Sequence, residues 1–140
     1  MSKIIKPKGS PSLAKICGLI ALDKLAKKIL LLDLRKIETA PADFFVICSS
    51  DSDIQSRAIT DEILKRIKNF KLPKPHVEGE ENANWILIDF FDVVVHIMLE
   101  NTRKFYQLEK LWSDAKFSII NEDGAIKKFN IKELNYDKDW

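Results

Sequence analysis

The spacing of apolar side chains predicts a helix and then a strand in the first quarter of the chain. From Ser12, a favoured N-cap residue, apolar positions recur at helical intervals as far as residue 29. This stripe consists of Leu13, Ile16, Cys17, Ile20, Leu25 and Ile29. Residues 30–37 then show a pattern typical of a strand with one more polar, solvent-exposed face. We therefore expect an amphipathic helix followed by a strand that is only partly covered.

The unbroken apolar run at residues 44–49 predicts a central strand, because a strand covered on both faces has no polar side. Residues 39–43, which include a proline, form the preceding turn. Residues 50–53 offer N-caps for a second helix, which must end before Pro73. Its apolar face would consist of Ile54, Ala58, Ile59, Ile63, Leu64 and Ile67.

Two more strands are predicted at residues 85–90 and 93–99, joined by a tight turn at Phe91 and Asp92. A short extended segment at residues 75–78 and a polar loop precede them. Asn101 or Thr102 would cap a third helix reaching residue 112, with Phe105, Leu108 and Trp112 on one face. This order predicts an α/β fold, a mixed β-sheet of about five strands flanked by helices.

Length and composition indicate one domain with three parts. The chain has 140 residues, of which 46% are hydrophobic, enough for a single core. We expect a flexible basic tail at residues 1–12, the α/β domain at 13–115 and a charged C-terminal extension at 116–140. No apolar run approaches the roughly 18 residues of a membrane span, and the tail lacks the apolar stretch of a signal peptide.

These features predict a cytoplasmic protein that does not associate with membranes. The two cysteines, Cys17 and Cys48, match no zinc or redox motif and are expected to pack in the core.

The charges are segregated along the chain. Residues 1–75 hold 15 Lys and Arg against 8 Asp and Glu, whereas residues 76–115 hold 3 against 8. A nucleic-acid binder concentrates positive charge on one face. A chain with one basic and one acidic segment does not favour that function. An RNA-binding module that uses the basic first 75 residues nevertheless stays open as an alternative.

Carboxylates near strand ends leave one catalytic alternative open. Asp51 and Asp53 follow the predicted central strand, and Asp89 lies on a later strand. Such oxygen ligands suit Mg²⁺, so the three could serve a metal-dependent nucleotidyl transferase. Ser50, Asp51 and Asp53 could equally cap the second helix. The four glycines are isolated and form no phosphate loop, so we expect no catalytic residue, cofactor or metal.

The segment from Glu78 to Trp112 has the composition of a protein interface. Its Trp, Phe, Tyr and His residues alternate with carboxylates. Aromatic side chains with polar tips supply much of the contact area in protein complexes. The negative charge of the segment indicates a positively charged partner.

The same segment resembles the ribosomal silencing factor family, also called RsfS or Iojap, over about residues 13–115. The resemblance rests on Asp43-Phe44-Phe45-Val46-Ile47, Gln55, Glu78-Gly79, residues 85–92, Val94-Val95-His96, Arg103 and Tyr106-x-Leu108-Glu109-x-Leu111-Trp112. It implies a fold like that of nucleotidyl transferases without their catalytic site.

The resemblance also implies a function and a set of contact residues. Family members bind the large ribosomal subunit through large-subunit ribosomal protein fourteen, block joining of the small subunit and repress translation when nutrients are scarce. The implied partner-binding residues are Trp85, Asp89, Phe90, Asp92, His96, Tyr106 and Glu109. On this view we expect little direct contact with nucleic acid. The exposed aromatic surface further predicts a homodimer in the free protein.

The chain departs from the family at one position in the predicted hairpin. Phe91 stands in the turn where the family usually has glycine. This turn must therefore avoid positive φ or accept strain.

Overall fold

A computed structural model describes residues 8–138, and the part of the predicted tail at residues 1–7 lies outside this range. The helices are α1 (Ser10–Asp23), α2 (Asp53–Ile67), α3 (Glu100–Tyr106) and α4 (Leu108–Leu111). The strands are β1 (Lys27–Asp33), β2 (Phe44–Ser50), β3 (His76–Glu78), β4 (Trp85–Asp89), β5 (Val93–Leu99), β6 (Lys116–Ile120) and β7 (Ile126–Phe129). Within the described range, no helix has the length and apolar character needed to cross a lipid bilayer.

The strands form one mixed sheet in the order β3-β4-β5-β2-β1-β6-β7. Strands β2 and β5 pair in parallel, and the other neighbours are antiparallel. The predicted central strand is confirmed, since every residue of β2 is buried. The α/β class is confirmed as well, but the expected count of five strands is wrong, because β6 pairs with β1 and β7 extends the same edge.

The segment predicted as a charged C-terminal extension is therefore part of the sheet as far as residue 129. Phe117 and Ile119 are buried on one face of β6, and Ile120 is buried on the other. Three of the nine residues in β6 and β7 are lysines, and these hide the strand period in the sequence.

The first helix is shorter than its apolar stripe predicted, and it begins three residues earlier. Gly9 stands at the N-cap and Ser12 lies inside α1. Leu25 is 76% exposed in the turn after the helix, and Ile29 belongs to β1. Both residues continue the helical spacing by coincidence. Strand β1 starts three residues earlier than expected, and its middle residues are buried on both faces.

The second helix begins as predicted, because the Ser52 side chain accepts a hydrogen bond from the Gln55 N–H at 3.0 Å. Its buried face is rotated relative to the prediction. Ile54 is 75% exposed, while Ser56 and Thr60 are buried. The Thr60 hydroxyl donates to the Ser56 carbonyl oxygen at 2.8 Å, so these small polar side chains are satisfied close to the sheet.

The third helix is divided at Gln107, which takes a left-handed conformation with φ 48° and ψ 48°. The chain turns there, and α4 runs on in a new direction. Leu108 is buried, but Phe105, predicted to share its face, is 79% exposed. The prediction of one continuous helix from residue 101 to 112 is therefore wrong.

Each face of the sheet carries its own core. Helices α1 and α2 cover one face, where Cys17, Ile20, Ile59 and Ile63 are fully buried. On the other face, Leu30, Leu32, Phe45 and Ile47 pack with Leu108 and Phe117. Both cysteines are buried and free, as predicted, and burial raises the pKa of the Cys48 thiol to about 12. On this second face Val94 and Met98 of β5 are also buried, whereas Trp85 and Leu87 of β4 are only partly buried.

Candidate functional site

A continuous chain of six rings lies on the second face of the sheet and reaches the surface. Successive ring centroids are 4.9, 5.1, 5.9, 4.6 and 6.0 Å apart. In order, the rings are Phe105, Tyr106, Trp85, His96, Phe45 and Trp112. We refer to these six residues as the aromatic cluster. It begins at exposed side chains on α3 and ends in the core.

The strands place these rings by simple alternation. Trp85, Leu87 and Asp89 point to the same face of β4, opposite Met98, His96 and Val94 on β5. Helix α3 follows β5 directly, and Tyr106 at its end packs against Trp85, with ring centroids 5.1 Å apart. Tyr106 is 54% exposed and Trp85 is half-buried. The cluster therefore offers a partner a rigid edge of aromatic surface.

His96 holds Trp85 in this position from below. The Trp85 Nε1–H donates to His96 Nδ1 at 3.0 Å. Because Nδ1 accepts, the neutral imidazole carries its proton on Nε2, and that atom has no hydrogen-bond partner within residues 8–138. Burial lowers the pKa of His96 to about 3. The ring is therefore a neutral acceptor at physiological pH.

The β4–β5 turn presents carboxylates beside the cluster. Phe91 has φ 74°, so of the two alternatives that the sequence left open the turn takes the strained, left-handed conformation that favours glycine. The Phe91 N–H donates to Asp89 Oδ1 at 2.7 Å, which stabilises the turn locally. Asp92 is exposed, and its carbonyl oxygen accepts from the N–H groups of Asp43 and Phe44 at 2.9 and 3.0 Å. These bonds fix the turn to the start of β2.

Strand β3 extends the acidic character to the sheet edge. Its residues His76 and Glu78 pair in register with Asp89 and Leu87 on the same face. Both side chains are exposed, and His76 Nε2 lies 3.0 Å from Glu78 Oε1. Glu78 and Asp89 thus lie on the face of the sheet that carries the aromatic cluster.

A buried ion pair stabilises the break between α3 and α4. Arg103 Nε donates to Glu109 Oε1 at 2.9 Å, and both side chains are almost completely buried. Arg103 also donates to Ser49 Oγ at 2.9 Å and to the Lys28 carbonyl oxygen. The second Glu109 oxygen, Oε2, accepts from the Tyr136 hydroxyl at 2.5 Å. Burial and the Glu109 carboxylate raise the pKa of Tyr136 well above its usual range.

The structure separates the seven residues proposed for partner binding into two groups. Trp85, Asp89, Asp92 and Tyr106 have accessible side chains on one side of the molecule. Phe90 is 8% exposed and lies in the core under α1 and α2, because alternation along β4 turns it to the other face. His96 and Glu109 are 4% and 0% exposed. These three cannot supply direct contacts in this conformation, and the last two position exposed neighbours instead.

The three carboxylates of the nucleotidyl-transferase alternative do not lie together. Asp89 on β4 pairs with Val94 on β5, which in turn pairs with Phe45 near the start of β2. Asp51, in contrast, follows the end of β2. Six residues of extended strand separate these levels by roughly 20 Å. Asp51 instead lies 3.5 Å from Lys27, and Asp53 lies 3.0 Å from Arg57. Residues 8–138 contain no group of three His, Cys, Asp or Glu side chains placed to hold a metal ion.

Sequence patterns missed two exposed residues of this surface and one residue that supports it. Phe105 and Leu111 are 79% and 74% exposed, although helical periodicity placed the first in the core. The cause is the left-handed Gln107, a residue type that gives no such signal in a sequence. Tyr136 was also missed, since its role depends on a contact with a residue 27 positions earlier.

Comparison with known proteins decides the family. A profile of the family described as "Ribosomal silencing factor during starvation" matches residues 7–139. The chain belongs to the ribosomal silencing factor family. The ribosomal silencing factor RsfS of Bacillus subtilis is 41% identical over 110 residues, which cover 79% of this chain and 92% of that protein. The maize chloroplast protein Iojap is 32% identical over 100 residues, 69% of this chain and 43% of that protein.

Solved structures agree with this membership. A crystal structure of a protein from Chromobacterium violaceum superposes with a TM-score of 0.71 at 30% identity, covering 75% of this chain and 87% of that one. A structure from Bacillus halodurans gives a TM-score of 0.65 at 36% identity, covering 74% and 95%. The mixed α/β fold is therefore shared with solved protein structures.

Proposed function

We propose that this ribosomal silencing factor binds the large ribosomal subunit through large-subunit ribosomal protein fourteen, prevents the small subunit from joining and so represses translation, especially under nutrient limitation. The observation that carries the proposal is the exposed end of the aromatic cluster, on the face of the sheet that also carries Glu78 and Asp89. We further propose that it acts in the cytoplasm and by occupying a surface, without catalysing a reaction.

The chemistry of the surface supports a basic protein as the partner. Ribosomal proteins carry positive charge to neutralise RNA, and an acidic patch attracts such a protein while repelling the phosphate backbone. Trp85 and Tyr106 supply rigid contact area, and neither ring is fully covered by its own chain. The buried His96 keeps Trp85 in place before binding, so less side-chain freedom is lost when the complex forms.

Binding of purified large subunits by defined variants tests the proposal. Tyr106→Ala removes an exposed ring, and we expect binding to weaken by about 2 kcal/mol, or roughly thirtyfold in Kd. Trp85→Ala and Asp92→Lys should weaken binding to a similar degree. Matched controls are Ile54→Ala, which removes an exposed side chain on α2, and Asp61→Lys, which reverses an exposed charge there. Co-sedimentation gives the Kd, and circular dichroism confirms that each variant is folded.

Silencing itself needs a second measurement. Light scattering of mixed small and large subunits should show that the wild-type protein slows subunit joining, and that Tyr106→Ala does so far less. If all three surface variants bind large subunits as tightly as the two controls, the proposed surface is wrong. If the wild-type protein binds but subunits still join at the normal rate, the proposed steric mechanism is wrong.

We also propose that the free protein forms a homodimer through the same aromatic surface. Phe105, Tyr106 and Leu111 are all more than half exposed and lie close together along the chain, which favours their being covered. Sedimentation velocity at micromolar concentration should show a dimer, and Phe105→Ala should shift it toward monomer. A wild-type protein that sediments only as monomer at this concentration would overturn the dimer.

A further inference from the structure

A basic groove lies on the half of the sheet that the proposed function leaves unused. Its volume is about 590 Å³, within the range of ligand sites, and it is lined by residues of α1, β1, β2, β6 and β7 and of the turns beside them. The aromatic cluster uses β4, β5, α3 and α4 at the other end of the strand order, and its only contribution from this half is Phe45. The groove is therefore a separate surface.

Positive charge is concentrated in this groove. Lys15, Lys116 and Lys128 line it, their side chains are exposed, and none forms an ion pair with a carboxylate of residues 8–138. The one carboxylate in the lining, Asp33, is bound by Arg35, with Nε and Nη2 at 3.0 and 2.8 Å from its oxygens. Hydrogen bonding from Arg35 lowers the pKa of Asp33, so this pair is neutral overall. Lys116 lies directly across from Asp33 and also interacts with its charge, whereas Lys15 and Lys128 form no ion pair with a carboxylate of the described residues.

Outside the groove, several cationic side chains of the first 75 residues form ion pairs with carboxylates. Lys24 lies 3.6 Å from Glu62 and Lys27 lies 3.5 Å from Asp51. Arg57 pairs with Asp53 at 3.0 Å. These ion pairs disperse the charge excess that the sequence shows. In the groove, positive charge from both ends of the chain is gathered around a single lining carboxylate, Asp33.

The groove has an apolar and aromatic floor beneath its lysines. The side chains of Leu31, Phe44 and Ile126 supply this floor, whereas those of Phe117 and Phe129 belong to the core on the other face of the sheet. The Arg35 guanidinium lies 5.0 Å from the Phe44 ring centroid, and this adds a flat cationic surface at one side. Phosphates require cations and nucleobases stack on flat apolar groups, so the combination suits a nucleic-acid strand better than a purely ionic ligand.

We propose that the groove binds a single-stranded segment of RNA, with phosphates held by Lys15, Lys116 and Lys128 and a base against the apolar floor. The inference deepens the proposed function and rests on it for the source of the RNA, which is ribosomal RNA next to the docking site. The protein then contacts a basic protein with its acidic half and RNA with its basic half. Such a two-part contact changes the expectation of little direct nucleic-acid binding.

A short RNA probe tests the groove without ribosomes. The full chain is titrated against a fluorescein-labelled dodecauridylate, and anisotropy is recorded at several salt concentrations. In the double variant Lys15→Glu with Lys128→Glu, we expect binding at least tenfold weaker at low salt and a salt slope reduced by about 2. The matched control is Lys65→Glu with Lys74→Glu, which changes the net charge equally at exposed positions outside the groove. Its effect should be less than threefold.

Separate outcomes distinguish the groove from the proposed function. If the wild-type chain fails to bind the RNA at low salt, or if the groove and control variants lose affinity equally, the groove is not an RNA site even when large subunits still bind. If RNA binding requires Lys15 and Lys128 but large subunits do not bind the wild type, the proposed function fails and the groove stands. Polyphosphate of equal charge should bind more weakly than the RNA, and equal affinity would contradict the contact with bases.

Discussion

At the scale of single residues, the neutral state of His96 links the candidate surface to pH. The unfolded chain takes up a proton on this ring near pH 6.5, whereas burial lowers the pKa of the folded ring to about 3. Below pH 6.5 the unfolded state therefore binds the proton that the folded state cannot. Stability present at neutral pH is lost as the pH falls from 6.5 toward 3, by roughly 1.4 kcal/mol per pH unit.

We expect the free energy of unfolding to fall more steeply with acid in the wild-type chain than in His96→Asn. Asparagine places an oxygen close to the position of Nδ1, so it can still accept from the Trp85 indole, and it does not titrate. Urea denaturation at pH 7, 6, 5 and 4 gives both curves. Ionised carboxylates affect both proteins alike, so the difference between the curves reports His96. Parallel curves would show that the ring does not cause the acid sensitivity.

The strained turn at Phe91 gives a second prediction at this scale. Its φ of 74° is unfavourable for a residue with a Cβ. Because the ring is 69% exposed, its burial contributes little stabilisation to offset this strain. Phe91→Gly should raise the free energy of unfolding by about 0.5 to 1 kcal/mol, after allowance for the greater freedom of glycine in the unfolded chain. Phe91→Ala keeps the Cβ and is the control. A glycine variant no more stable than the alanine variant would show that the turn is not strained.

At the scale of elements, the C-terminal residues hold α3 and α4 in place. Glu109 is fully buried between Arg103 and Tyr136, so removing its charge breaks the buried ion pair with Arg103. Glu109→Gln should lower the free energy of unfolding by about 3 kcal/mol, and Tyr136→Phe by about 1.5 kcal/mol. The exposed pair of Lys104 and Asp137 provides the control, since Asp137→Asn should cost less than about 1 kcal/mol.

Urea titrations at neutral pH measure these values. Tyr136→Phe should also weaken large-subunit binding slightly, because the break at Gln107 positions Tyr106. The prediction would be contradicted if Tyr136→Phe and Asp137→Asn were equally stable, as this would mean that the hydroxyl contributes nothing to the position of α4.

The elements that could be predicted are those whose burial is uniform or strictly periodic. Strand β2 is buried throughout, and its apolar run is visible in the sequence. Strands β6 and β7 lie at one edge, where lysines face solvent and few side chains reveal the alternation. Helix α1 was overextended because Leu25 and Ile29 continue its period in a turn and a strand. The residue at which such a helix ends is determined by strand pairing and packing in the fold and not by the local spacing of apolar residues.

The candidate site was predictable as a region but not as a set of contacts. Alternation placed Trp85 and His96 on one face, and composition showed the acidic residues nearby. The burial of Glu109 and the exposure of Phe105 both follow from the left-handed Gln107, which no local pattern indicates. The basic groove joins α1, near the N-terminus, to β6 and β7, more than 100 residues later, so charge counts by segment could not show it.

At the scale of the whole molecule, the sheet separates two surfaces of opposite charge. Trp85 lies on β4 and Lys128 on β7, five strand positions apart in the sheet, or roughly 24 Å. Sites this far apart, with no shared partner, contribute independently to a free energy of binding. If the aromatic cluster contacts a ribosomal protein while the groove contacts RNA, both surfaces contribute to one complex.

A double-mutant cycle on large-subunit binding tests this arrangement. Trp85→Ala and Lys128→Glu should each weaken binding, and the double variant should lose the sum of the two effects to within about 0.5 kcal/mol. Only the Lys128→Glu loss should shrink strongly when salt is raised, because it removes a phosphate contact whereas Trp85→Ala removes apolar contact area. The Kd values are measured by co-sedimentation at two salt concentrations. If Lys128→Glu has no effect in either background, the molecule docks through its acidic half alone; a large deviation from additivity would mean that the two surfaces are coupled through the sheet.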